Sequence, residues 1–326
     1  MLWQCWKQWM VGLCALLVSM AWGAASKPVP MSEPIPVVAS FSILGDVVRV
    51  VGADRIAVTN LVGPSQDAHT FEPRPTHARA LLASRLVVLH GMELEPWAQK
   101  LLRSSGYSGA VVVASVGVQP RRFGNAVTLG AHHEHHDDHD DHQHHGHHRH
   151  GGIDPHAWQN PLHVVQYAHN IAEALSKVDP AGAAQYRRNA QSYEKELHAL
   201  DAWIRDRLWT IPVAQRKVLT AHDAFGYFAD RYQVTFLAPQ GVLTDAEPSA
   251  KAVAQLIQRV RKEQIRAIFT ENLDNSSLLR QIVAETGAKV LGSLYSDALS
   301  LPGTAGDTYL RMMRHNVDLL MQGLAR

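Results

Sequence analysis

The sequence predicts an α/β protein of two successive lobes, each built around a mostly parallel sheet, and three observations carry that reading. From Pro36 short apolar runs alternate with segments of helical periodicity, the pattern of strands and crossover helices. The second half, from Lys217 onward, repeats the alternation after a long amphipathic stretch. At 326 residues the chain is long enough for two domains of ordinary size with substantial cores.

Taken in order, Val37 to Phe41 reads as a strand, Ile43 to Val51 as a short helix and Ile56 to Val62 as a second strand. Residues 63–75 follow, a loop held out of regular structure by Gly63, Pro64, Pro73 and Pro75. Pro75 opens a helix through Ser84, Leu86 to Leu89 is a third strand, Leu94 to Arg103 a helix and Ala110 to Ala114 a fourth strand. Asn160-Pro161 supplies an N-cap and a first-turn proline for the amphipathic stretch, which runs toward Lys177 and resumes after Asp179-Pro180 as far as Trp209. In the second half Lys217 begins a strand whose last residue is expected near His222, and Val234 to Leu237 is the next strand. Ser249 caps a helix to Lys262, and a strand over Ile265 to Thr270, a helix over Ser276 to Thr286 and a strand over Lys289 to Tyr295 follow. The closing helix, Asp307 to Leu324, carries Leu310, Met313, Val317 and Leu320 at core spacing. The divisions are a first lobe over 36–160, a helical stretch over 161–209 and a second lobe over 216–326.

Ahead of the first lobe, Lys7, the apolar run from Trp9 to Val18 and the small residues Ala21, Gly23, Ala24 and Ala25 read as a secretory signal peptide over residues 1–25. That run is shorter than the ~20 residues a membrane-spanning helix needs. Both cysteines, Cys5 and Cys14, lie inside the signal segment, so the mature chain would have no disulfide and no thiolate ligand. Leu13 in place of a small residue before Cys14 argues against lipid attachment there. A formal net charge of +1 argues against nucleic acid as a partner.

Metal is the chemistry the sequence advertises. Between His132 and His150 stand eleven histidines and five acidic residues, and unprotonated imidazole suits zinc, copper and nickel. With interchangeable ligands and no apolar side chains to fix one set, residues 132–150 read as a flexible metal-collecting loop. His156, between Pro155 and Trp158, has the surroundings of a held side chain instead. His69 sits in the loop after the second strand, His222 at the end of the first strand of the second lobe and Asp297 just past the last strand. Strand ends of open α/β sheets line ligand crevices, so two facing lobes would bring these four to one cleft, where three imidazoles and a carboxylate can complete a tetrahedral zinc shell. His163, His169 and His198 read as surface or packing residues of the helical stretch.

The strings from Gly63 to Pro73, Asp154 to Trp158, Thr220 to Phe225 and Tyr295 to Asp297 resemble the motifs of the periplasmic solute-binding proteins of zinc and manganese ABC importers, the cluster A-I or TroA-like family, over nearly the whole mature chain. The resemblance implies two α/β lobes joined by one long rigid helix, here Pro161 to Trp209, with the metal between them and no catalytic activity. It implies His69 and His156 as first-lobe ligands and His222 and Asp297 as second-lobe ligands, water being the alternative to Asp297. It also implies a monomer in the periplasm that delivers Zn2+ to an ABC transporter membrane permease, with zinc chaperones as further partners. Manganese or iron is the alternative cargo, but nitrogen from His222, where a carboxylate would favour manganese, tilts the choice to zinc. Two other classes compete. A secreted zinc metalloenzyme would need a base, for which Asp67, Glu72 or Asp223 could serve, and a zinc buffer would work mainly through the histidine run.

Overall fold

The computed structural model describes residues 33–122, 152–239, 241, 249–265, 267–273 and 277–325; the signal segment and the histidine run lie outside them. In the first lobe, β1 (Ile35–Phe41), β2 (Ile56–Val62), β3 (Leu86–Leu89) and β4 (Ala110–Val113) form one parallel sheet in the order β2-β1-β3-β4. The last five residues of β1 and all four of β3 are buried, as expected of central parallel strands covered on both faces, which is why they read as continuous apolar runs. The connecting helices are α1 (Ser42–Gly52), α2 (Pro75–Ala83) and α3 (Pro96–Ser105).

The second lobe repeats the topology. Its strands β5 (Lys217–Leu219), β6 (Thr235–Leu237), β7 (Ala267–Glu271) and β8 (Lys289–Leu294) run parallel in the order β6-β5-β7-β8. Its helices are α6 (Gly226–Tyr232), α7 (Ala250–Lys262), α8 (Ser277–Thr286) and α9 (Tyr309–Leu324). Ser249 caps α7 by accepting from the Ala252 amide, whereas α9 begins two residues later than the sequence suggests, with the Thr308 hydroxyl as its cap.

The helical stretch between the lobes departs from expectation. Instead of one rod from Pro161 to Trp209 there are two helices, α4 (Pro161–Val178) and α5 (Ala183–Trp209), which fold back on each other as an antiparallel hairpin. His169 of α4 meets Glu194 of α5 at 3.0 Å, a pairing that only a reversal near residue 181 allows. The cause is Asp179-Pro180: the residue before proline is driven out of helical conformation, here to φ −139°, ψ 79°, and Arg55 and Tyr186 both bond the Asp179 carboxylate and lock the corner. Among the described helices, α5 carries the chain from the first lobe to the second. Its 27 residues span ~40 Å at the usual helical rise. Tyr186, Ala190 and Tyr193 are buried in its first half, Leu200, Ile204 and Leu208 in its second, and α1 and α9 pack along it.

Candidate metal centre

Two of the candidate ligands, His156 and His222, have a carboxylate at Nδ1 that turns Nε2 toward the cleft, whereas His69 is placed through its backbone. In the loop after β2, Asp67 accepts from the His69 amide at 2.7 Å and the Thr70 hydroxyl at 2.8 Å, and Trp97 donates to the Ala68 carbonyl. These bonds set the loop that carries His69. Asp154 accepts from both the amide and the Nδ1 of His156, at 3.0 and 2.8 Å, so Nδ1 keeps its proton and Nε2 is the nitrogen left to face the cleft. His222 lies three residues past β5, in a loop and not at the strand's end, because the Ala221 and His222 amides donate to the Glu271 carboxylate instead of to a neighbouring strand. The other Glu271 oxygen stands 2.6 Å from His222 Nδ1. Glu271 and Asp154 thus play the carboxylate–histidine part common behind metal ligands.

Four donor atoms then converge. His69 Nε2 is 3.2 Å from His156 Nε2 and 3.6 Å from Asp297 Oδ2; His156 Nε2 is 3.3 Å from Asp297 Oδ1, and His222 Nε2 is 3.0 Å from Asp297 Oδ2. All four lie within 4.8 Å of one another. A tetrahedral ion with bonds of ~2.0–2.1 Å needs donors roughly 3.3 Å apart, which the His69–His156 pair and the three histidine–carboxylate approaches match, these last shared between the two Asp297 oxygens. His222 Nε2 and Asp297 Oδ1 are buried and form no hydrogen bond of acceptable geometry among the described residues, although opposite groups stand close by. Donor atoms left in that state suit a shared cation. His163, His169 and His198 stay outside this cluster: His163 Nδ1 bonds the Ala157 carbonyl, and His169 and His198 flank Glu194 on the hairpin surface.

Burial opposes a charge on His156, yet the Asp297 carboxylate and the bond to Asp154 outweigh it and raise its pKa to about 9. His222, against the same penalty, is raised well above the usual imidazole range by Glu271 and Asp297. Asp297 is buried too, but the two imidazoles hold it well below the usual carboxylate value. Without metal the centre keeps an anionic carboxylate among protonatable rings. A divalent ion replaces the protons.

The lobes are tied together around this point. Trp158 Nε1 and Gln159 Nε2 both donate to the Ser296 carbonyl, at 2.8 and 2.9 Å, one residue before Asp297. Tyr309 donates its amide to Asp46 and its hydroxyl to the Trp158 carbonyl. Tyr227 donates to the Asp154 carbonyl and accepts from the Arg121 amide, while the Arg121 guanidinium reaches both Asp154 and Asp230. Glu271 escaped the reading of the sequence, although a carboxylate ending a buried apolar strand was the signal that could have found it. His90, whose ring meets the Pro155 carbonyl at 2.7 Å, left no such signal.

Fold and site together define a two-lobed protein of the solute-binding class with a candidate metal centre where the lobes meet. The chain belongs to the family described as zinc-uptake complex component A, periplasmic, whose model it matches over residues 37–323. Among its relatives, the iron-binding protein YfeA of Yersinia pestis is 30% identical over 312 residues, covering 95% of this chain and 93% of that one. The manganese-binding lipoprotein MntA of Halalkalibacterium halodurans is 29% identical over 294 residues, 90% of each chain. The periplasmic zinc-binding protein TroA of Treponema pallidum superposes with a TM-score of 0.77 at 25% identity, covering 90% of this chain and all of that one. The family is one of substrate-binding proteins of ABC transporters and not of enzymes, which removes the metalloenzyme reading. A location outside the cytoplasm follows from the same kinship.

Proposed function

We propose that the mature chain, freed of residues 1–25, captures zinc in the periplasm between its lobes and delivers it to the membrane permease of an ABC importer. His69, His156, His222 and Asp297 are the ligands in this reading. The observation that carries it is the donor set: three imidazole nitrogens and one carboxylate within 4.8 Å of one another, a combination that suits zinc better than it suits manganese, which favours oxygen-rich shells. Relatives named for manganese and iron favour a second reading, in which the cargo is one of those ions. Competitive calorimetry on protein lacking residues 132–150 separates the two. One tight zinc event, at least tenfold tighter than manganese or ferrous iron, is expected. Loss of the tight event along with the run would overturn the cleft assignment, and a preference for manganese or iron would overturn zinc.

A further inference from the structure

We infer that His90 is a positioning residue for His156, holding the Pro155 carbonyl so that the segment carrying His156 is fixed to the first-lobe sheet. The inference rests on the proposed metal centre. His90 is the first residue after β3 and fully buried. Its Nε2 lies 2.7 Å from the Pro155 oxygen, and because a carbonyl only accepts, the ring proton is on Nε2. The Nδ1 lone pair is then left buried with no hydrogen-bond partner among the described residues. Burial pushes the ring pKa down to about 3, so the imidazole is neutral.

Nothing lets this ring swing aside. The His90 amide donates to Glu95 at 2.5 Å, its carbonyl accepts from the Ser115 hydroxyl at 2.6 Å, and the rings of Phe41, Trp158 and Tyr167 stand edge-on around it at 5.9, 5.0 and 5.4 Å. An imidazole with one unpaired buried nitrogen is an expensive way to fill an aromatic box that phenylalanine would fill without that penalty. The contact that offsets the cost is the one to Pro155. Asp154 orients the His156 ring, and Arg121 and Tyr227 hold Asp154, but neither of these comes from a strand end of the first-lobe sheet. His90 connects that segment to the strand end across 65 residues of sequence.

The test uses the mature protein and two variants. His90→Phe keeps ring volume and loses the donor; His90→Gln restores an amide donor at similar reach. The rate at which excess chelator strips zinc from the cleft and the visible spectrum of the cobalt-loaded site are read beside thermal stability. His90→Phe is expected to release zinc about tenfold faster, the lower end of the ~10–100-fold typical of outer partners, and to shift the cobalt bands, with His90→Gln returning both toward the parent. Parent-like release and cobalt spectrum in His90→Phe, with stability alone reduced, would overturn the inference. Nitrogen-15 NMR of the unmodified metal-free protein gives a check that needs no variant: the His90 proton must be on Nε2, and a proton on Nδ1 overturns the assignment. A parent that binds no metal tightly in the cleft sinks the proposed function instead, and the tautomer still reports on the hold at Pro155.

Discussion

Alanine at His69, His156 or His222 removes a donor nitrogen from a shell of four, and metal affinity should fall by more than the ~10–100-fold that losing an outer partner costs. Asp297→Ala should cost less, since water can supply an oxygen in its place; competitive calorimetry with a chromogenic chelator ranks all four. Unchanged affinity across the set would remove the site. Glu271→Gln keeps shape but weakens the grip on His222 Nδ1, so a loss of roughly tenfold is expected in the same titration. The four candidates were legible because each follows a strand and stands among turn-forming or rigid residues. Glu271 and His90 were not, because what each does depends on a partner 49 or 65 residues away that only the fold brings near.

The central strands β1 and β3 were legible because burial on both faces writes them as unbroken apolar runs, and the half-exposed edge strand β2, like β3, falls on its expected bounds. The hairpin was not. Amphipathic periodicity reads the same whether a helix pair continues straight or doubles back, and only Asp179-Pro180 marked the break. Where α5 meets the second lobe, Asp201 receives Arg231 through both oxygens at 2.9 and 2.7 Å and the Tyr232 hydroxyl at 2.9 Å. Asp201→Ala leaves those donors without their acceptor and should cost ~1–3 kcal/mol, read as a lower urea midpoint at unchanged slope. Burial would raise the Asp201 carboxyl, but Arg231 and Tyr232 hold it below its usual value. A carboxylate depressed in the fold contributes stability above its unfolded pKa of ~3.9 and loses it as pH falls through the folded value. The gap between parent and variant should therefore stay level from pH 5 to 8 and close only in stronger acid. A gap that closes already near neutrality would mean Asp201 is not the group responsible.

At the scale of the molecule, donors from two separately folded sheets converge on one point, and in the proposed reading that convergence separates the cleft from the histidine run in how each would give metal up. Imidazole must be neutral to coordinate, so both pools weaken as pH drops. Histidines of the run, if they bind as a collector, should give metal up as pH falls through the ordinary imidazole range near ~6.5. In the metal-free cleft the signs differ: His156, raised to about 9, and His222, raised well above the usual imidazole range by Glu271 and Asp297, carry protons at neutral pH. Zinc entering there must release them, so cleft affinity already climbs with pH between 7 and 9, and calorimetry in buffers of different ionisation heat should show proton release at pH 7.5. Once bound, the ion is gripped at the same time from β2 and β4 loops of one lobe and β5 and β8 loops of the other, and protons must displace it from all of them together. Dialysis at a series of pH values, on the parent and on protein lacking residues 132–150, should strip the run first in mildly acidic medium and leave one ion behind. If both pools leave over the same interval, the run and the cleft are a single class of site.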